Sequence, residues 1–379
     1  MLRSSDWALL LLVLIVTCTT PAQPASNPLM EVPPVVSSWD DLTEGLKTRE
    51  DWEARRPAIK EQFLDLLRDQ YKPEKPPLDL QIHESVEVDG VYTRKLISYA
   101  VEEGERAHAY LGIPLNVPGK LPAVVVLHQT YDNGAREAAG LEGNPDYAQL
   151  DHLSRRGYIT VAPDHFVAGH RIPPAGAYDT TAFHEKHPEW TAAGKFTYEH
   201  SIAIDVLETL PEVDTDRIGV IGHSLGGQGA IFLTAYDDRI KVAVSNCPAP
   251  TFRHNAKVLS WSRDQWYTYF KHIRPGLLNN ELPPIDFHHM AALAAPRPFL
   301  HIAGLNDGDG GTQRQRVLMM LSVARVYEVV GAPEMHAFYF HGHGHGAPYD
   351  ARELMYGWLD MHLKEPSATR ARLLEDTAR

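Results

Sequence analysis

Two glycines flanking a serine, set between a strand pattern and a helix pattern, constrain this chain more than any other stretch. The segment runs Arg217-Ile-Gly-Val-Ile-Gly222-His223-Ser224-Leu225-Gly226-Gly227-Gln228-Gly229-Ala230. Arg217 to Ile221 has the apolar, β-branched character of a short strand, and Leu225 to Ala235 reads as a helix. A chain that turns this sharply from strand to helix strains the corner residue and brings the positions two residues to either side into collision. Gly222 and Gly226 remove that collision. The corner lifts the Ser224 hydroxyl clear of the sheet. The Leu225 N–H, in the first helical turn and without an intrahelical acceptor, points into the same space. Gly-x-Ser-x-Gly alone is a weak signal; in this strand-to-helix context it reads as a nucleophile elbow. The competing reading is a glycine-rich turn in some other α/β protein.

The rest of the chain supplies matching architecture. The pattern from Trp39 to Tyr71 is an amphipathic helical arm, with Trp52, Ile59, Phe63, Leu64, Leu66 and Leu67 at three- and four-residue spacing. Leu80 to Ala100 alternates as a hairpin turning at Asp89-Gly90, and Ala107 to Pro114 is a third strand. Leu121 to Leu127 is continuously apolar, as expected of a strand buried on both faces. Further strands are expected at Tyr158 to Ala162, Lys241 to Asn246, Arg297 to Ala303 and His336 to Phe340. Helices are expected near Tyr147 to Arg156, Ser201 to Leu210, Gln313 to Val330 and Tyr349 to Leu363. Alternating strands and helices predict a mostly parallel central sheet flanked by helices, with an antiparallel edge. Two connections, Phe166 to Tyr198 and Pro248 to Leu293, are long enough to be functional insertions.

A serine hydroxyl is a weak nucleophile at neutral pH and needs a base, which in turn needs an orienting acid. In this architecture acid and then histidine follow the serine along the chain. Phe299 to Gly304 followed by Leu-Asn-Asp307 puts Asp307 at a strand end, with Asp309 as fallback; Asn-Asp-Gly is also ordinary turn chemistry. After the last strand, His341-Gly-His343-Gly-His345-Gly offers three imidazoles on a glycine-rich loop. His345, nearest the closing helix, is the preferred base and His343 the second choice. The three histidines could instead be metal ligands, but nothing else has clear ligand spacing, so no metal or cofactor is expected. The second oxyanion donor, beside Leu225, is expected after the Val-Val-Val strand at the backbone of Thr130 or Gln129.

At Val-Leu-His128-Gln129-Thr130, Gly157-Tyr-Ile-Thr-Val-Ala-Pro-Asp164, Asp216 through Gly227, Ala295-Pro-Arg-Pro and Gly344-His345-Gly, the sequence resembles the dienelactone-hydrolase-like and acetyl-xylan-esterase-like branch of the α/β-hydrolases, related to the prolyl oligopeptidase catalytic domain. The resemblance spans about residues 76 to 364. It implies an eight-stranded α/β-hydrolase sheet, Ser224 as nucleophile, Asp307 as acid, His345 as base, and Thr130 and Leu225 as oxyanion donors. The chain departs from that pattern in having Ser rather than the Cys of true dienelactone hydrolases, and His128-Gln129 where His-Gly is familiar. It also lacks the β-propeller of prolyl oligopeptidases.

The function expected is a serine esterase acting on a small-molecule or carbohydrate ester, through an acyl-enzyme. A small serine peptidase and a non-catalytic binding protein on the same fold are the alternatives. Trp190, Phe183, Trp261, Trp266 and Tyr267, in the insertions, are candidate walls that could stack on sugar rings or equally cap the core. Phe287-His288-His289 reads most simply as buried, hydrogen-bonded histidines. A net charge of −13 argues against nucleic acid and anionic membranes as partners. Arg3 followed by apolar Trp7 to Val16 and a small-residue stretch to Ala25 reads as an export signal, too short for a comfortable membrane span. The expected organisation is a signal over residues 1–25, linker and arm over 26–75, catalytic domain over 76–365 and polar tail over 366–379. The product is periplasmic or secreted; a lipoprotein anchor at Cys18 ranks lower because Thr17 fits it poorly. Cleavage leaves Cys247 without a disulfide partner, and its expected role is packing.

Overall fold

The structure is a computed structural model that describes residues 32–248, 251–308 and 310–364, with the backbone alone at 310 and 311. The expected export signal, Cys18, Asp309 and the polar tail lie outside the described residues.

Among the described residues one sheet holds nine strands: β1 Gln81–Val88, β2 Tyr92–Glu102, β3 Glu105–Pro114, β4 Leu121–Leu127, β5 Ile159–Pro163, β6 Val213–His223, β7 Val242–Asn246, β8 Phe299–Gly304 and β9 His336–His341. Their order is β1-β2-β3-β5-β4-β6-β7-β8-β9. The sheet thus has one strand more than the eight implied by the resemblance. β1, β2, β3 and β5 pair antiparallel in turn, and every pairing from β5 through β4 to β9 is parallel. The β1–β2 turn is at Asp89 and Gly90, both with positive φ (53° and 69°), as a tight hairpin twisted with its strands requires.

Among the described residues there are nine α-helices: α1 Arg49–Leu67, α2 Gln149–Arg155, α3 Thr181–Lys186, α4 Ala192–Glu208, α5 Leu225–Tyr236, α6 Arg274–Leu278, α7 Phe287–Ala292, α8 Gly310–Val329 and α9 Tyr349–Leu359. The alternation of a strand divides the core in two. Ala123, Val125 and Leu127 of β4 face the layer containing α1, α4, α5, α7 and α8, whereas Val124 and Val126 face α2 and α9. That is why the Val run has no polar position: both faces are dry.

The arm is part of the first layer rather than an appendage. Its helix α1 starts in a capping box between Thr48 and Asp51 and buries Trp52, Ile59, Phe63, Leu66 and Leu67 in the common core. The first insertion ends earlier than expected, because α4 starts at Ala192, where the Thr191 side chain accepts the Gly194 N–H. Buried charges tie this insertion to the β2–β3 hairpin. Lys195 pairs with Glu199 at 3.0 Å and Glu105 at 3.2 Å, and Arg171 pairs with the same two carboxylates. The second insertion, between β7 and β8, holds α6, α7 and short turns.

Candidate active site

The corner between β6 and α5 has the strained geometry the sequence demands. Ser224 sits at φ 56°, ψ −115°, a left-handed conformation rare outside glycine. A Cβ on Gly222 would meet the Gly226 carbonyl oxygen at 2.1 Å, and one on Gly226 would meet the Leu127 oxygen at 1.9 Å. The corner is held by the Ser224 N–H, which donates to the Asn246 carbonyl of β7 at 2.9 Å.

Ser224, Leu225, Thr130, Asp307 and His345 all line one cavity of about 190 Å³, together with Gln228, Cys247, Pro248, Tyr269 and Arg316. His345 Nδ1 lies 3.1 Å from Asp307 Oδ2. The loop that carries His345 is fastened to the loop that carries Asp307. Leu305 N–H donates to the His341 carbonyl at 2.8 Å, Asn306 N–H to His343 at 3.1 Å, and the Asn306 side-chain amide to Gly342 at 2.8 Å. Gly304 permits this approach, since a Cβ there would meet the Gly344 oxygen at 2.3 Å. The Gly-His alternation therefore lets the backbone pack closely here.

The loop also separates its three histidines. His345 is the one beside Asp307, with its side chain 44% exposed toward the cavity mouth. His341 is buried, and its Nδ1 accepts the His343 N–H at 3.3 Å. Among the described residues the three do not converge as a metal-binding group; two other clusters do, Cys247 with Asp307 and His345, and Asp41 with His288 and His289.

The electrostatics favour an ionised Asp307. Burial works to raise its carboxyl, but the hydrogen bond with His345 and the charge of Arg316 outweigh it and hold it below the ordinary carboxylate value. Arg316, buried on α8, donates to the Asp307 carboxylate at 3.3 Å, to the Asp307 carbonyl at 3.1 Å and to the Pro248 carbonyl at 3.2 Å. One guanidinium thus spans the loops after β7 and β8. Beneath His345 lies His223, its ring centroid 4.8 Å away, stacked on Tyr147 and receiving the Asn246 amide on Nδ1 at 2.9 Å. Burial, and then the nearby His345, push the His223 pKa down to about 3, so this ring is a neutral floor.

On the opposite wall the peptide at Thr130 is held from both sides. The Gln129 carbonyl accepts from the His128 ring at 2.6 Å, and the Tyr131 N–H donates to the Tyr178 hydroxyl at 2.9 Å. The Gln129 side chain turns away to Glu137.

Sequence reasoning missed Arg316, Gln228, Tyr269 and His223. Gln228 was within reach, because a residue four places after Ser224 on α5 rises on the same helix face. Arg316 carries no such signal. Cys247 is fully buried, as expected, and also borders the cavity. The aromatic walls divide sharply: Trp190, Phe183, Trp261 and Tyr267 are buried, and only Trp266 stays open, at 43% exposure. His288 and His289 are buried and hydrogen-bonded, as expected.

Known proteins resemble this chain in sequence and in fold. A family model described as glucuronyl esterase, fungi, matches residues 176–331. Protein YtaP of Bacillus subtilis (strain 168), named as a hydrolase, is 32% identical over 214 residues, covering 54% of this chain and 66% of that protein. The 4-O-methyl-glucuronoyl methylesterase of Phanerochaete carnosa is 27% identical over 201 residues, covering 47% of this chain and 48% of the enzyme. The chain thus spans about two thirds or less of the length of these curated relatives. Among solved structures, a glucuronoyl esterase from Solibacter usitatus superposes with a TM-score of 0.65 at 18% identity, over 87% of this chain and 98% of that one. The chain has the α/β-hydrolase fold. Among its described residues no helix is long and apolar enough to cross a membrane.

Proposed function

We propose that this α/β-hydrolase is an exported serine esterase that cleaves carboxylic esters of carbohydrates, with uronoyl esters the first substrate class to test. The observation that carries the reading is the meeting of Ser224, His345 and Asp307 around one small cavity, with His345 Nδ1 turned to Asp307. In the proposed cycle Asp307 fixes the Nδ1–H tautomer, leaving Nε2 free to take the Ser224 proton as the serine oxygen attacks the ester carbonyl. The backbone N–H groups of Leu225 and Thr130 receive the oxyanion; one such donor is typically worth about 3 kcal/mol in the transition state. The imidazolium then protonates the departing alcohol. Water, deprotonated by the same nitrogen, releases the acid and restores Ser224.

A cavity of about 190 Å³ has room for a small acyl group or a single ring rather than a long chain. The remainder of a glycan must lie outside, where Trp266 offers an open indole. The resemblance of residues 176–331 to glucuronyl esterases supports a uronoyl acyl group. The expected export signal over residues 1–25 fits a polymer substrate outside the cell, with residues 76–365 as the catalytic domain.

The test is a substrate panel of alkyl and aryl glucuronate esters, acetylated xylan, nitrophenyl esters of increasing length and peptidyl nitroanilides. Hydrolysis confined to the short or uronoyl esters, and abolished by Ser224→Ala, is the expected result. Turnover of the anilides alone would move the protein to the peptidases, and ester turnover persisting in Ser224→Ala would remove the nucleophile assignment.

A further inference from the structure

Cys247 is placed with more care than a packing residue needs. It ends β7 in a left-handed conformation, φ 47°, which a side-chain-bearing residue adopts only where its surroundings enforce it. Its N–H is fixed to the Ile302 carbonyl of β8 at 2.8 Å, and its sulfur lies 3.7 Å from the Gly346 carbonyl of the histidine loop. Cys247, fully buried, borders the cavity that holds Ser224. There the Cys247 sulfur, an Asp307 carboxylate oxygen and a His345 ring nitrogen all lie within 4.8 Å of one another.

From this cluster we infer that Cys247, Asp307 and His345 form an inhibitory site for a borderline-soft divalent cation such as Zn²⁺. Tetrahedral zinc with bonds of about 2.0 to 2.3 Å sets its ligands roughly 3.3 to 3.6 Å apart. The Nδ1–Oδ2 separation of 3.1 Å is already close to that spacing. The sulfur lies within 4.8 Å of both other ligand atoms, and the half-exposed His345 is the ligand free to move. The fourth position opens on the cavity. Arg316, 3.3 Å from the Asp307 carboxylate, opposes any cation there. It therefore selects against hard ions such as Mg²⁺ and Ca²⁺, which bind carboxylates by charge, and leaves the sulfur and imidazole to decide affinity.

Binding changes protonation in a defined way. The Cys247 S–H bond breaks, its proton leaves to solvent, and metal–sulfur, metal–oxygen and metal–nitrogen bonds form. With the metal on Nδ1, the imidazole proton moves to Nε2, so no lone pair remains to accept the Ser224 proton. Inhibition of the esterase rests on the reading of Ser224 and His345 above; occupancy of the site does not.

The other carboxylate–histidine cluster offers no sulfur ligand. His289 Nδ1 accepts the Asp286 N–H at 3.1 Å, and both Asp41 oxygens are taken, by His288 at 2.8 Å and Arg253 at 2.8 Å.

The experiment uses Co²⁺ as a spectroscopic probe on chelator-treated full-length protein, alongside Zn²⁺ inhibition of ester hydrolysis. Wild type is expected to develop a thiolate-to-cobalt absorption band at one equivalent. Zn²⁺ is expected to lower its rate at least tenfold, reversed by EDTA, with Mg²⁺ and Ca²⁺ without effect. Cys247→Ala should lose the band and become at least tenfold less sensitive to Zn²⁺, each measured against its own metal-free rate. Circular dichroism checks that it folds, and Cys247→Ser serves if it does not. Ser224→Ala should keep the band, so the site is tested even if no ester is turned over. An absent band in an active wild type, or unchanged Zn²⁺ sensitivity in a folded Cys247 variant, overturns the inference and leaves the esterase reading standing.

Discussion

Two clusters in this molecule are built from the same materials, a carboxylate and histidines, and do opposite things. At Asp41, His288 and His289 both carboxylate oxygens are engaged, one by His288 and one by Arg253. Arg253 bridges Asp41 to the buried Asp286, whose oxygens also accept the N–H groups of Phe252, Arg253 and Phe287. The result is a latch fastening the strap before α1 to the second insertion, with Trp39 packed edge-on against His288. Asp307 and His345 instead border the cavity that also holds Ser224. One cluster joins two distant segments of the chain, and the other lies beside a serine at a cavity. Histidine and aspartate by themselves tell neither apart.

The comparison can be broken at several places, and the largest effect belongs to the open cluster. Ser224→Ala should lower the ester hydrolysis rate by about 10⁶-fold, with thermal stability nearly unchanged. Asp307→Asn should cost about 10⁴-fold by allowing the wrong imidazole tautomer; a loss of under tenfold would move the acid elsewhere. The latch should respond in the other currency. Arg253→Met strands the buried Asp286 charge and is expected to destabilise the fold by about 3 kcal/mol, read as a lower urea midpoint. The rate per folded molecule should hold, and a large rate loss without destabilisation would erase the distinction between the clusters.

Arg316→Gln lies between the two. Removing its charge should raise the Asp307 pKa from its depressed value, so the acid limb of the rate profile moves to higher pH, with about a tenfold loss at neutrality. The depressed carboxyl contributes stability that is present above its unfolded value of 3.8 and is lost as pH falls through the folded one. The smallest effect near neutrality is acid sensitivity from the buried histidines. Burial holds His200, His223, His289 and His301 at about 3, against 6.5 when unfolded. The unfolded chain therefore binds more protons between those values, and stability is full above 6.5 and falls as pH drops below it. Calorimetry from pH 7 to pH 5 should show a falling Tm; a flat profile would mean these rings are not neutral in the fold.

Much of the frame was legible because it follows from local rules. The Val run of β4, the Asp89-Gly90 turn and the glycines around Ser224 each state a backbone requirement that few residues can meet. Asp307 and His345 were legible from their positions after β8 and β9, although the hydrogen bonds that join their loops were not. Arg316 was hidden because a helix position reveals its face but not what the face meets. The buried tryptophans were hidden for the same reason: Trp190 and Trp261 look like sugar platforms in a list of insertion residues, and only packing shows that they are core. Cys247 was legible as a buried residue, and only the fold shows that it also borders the cavity.

The latch also sets an order of assembly. Asp41 and His288 are 247 residues apart in the chain, and Trp39 and its hydrogen-bond partner Gln315 are 276 apart. At synthesis rates of about 5 to 20 residues per second, the strap waits for roughly ten seconds to a minute before its anchors emerge. The Ser224 corner needs only Asn246, a short way downstream, and can form while the strap is still waiting. The residues that hold the Ser224 corner are thus synthesised before those that anchor the strap.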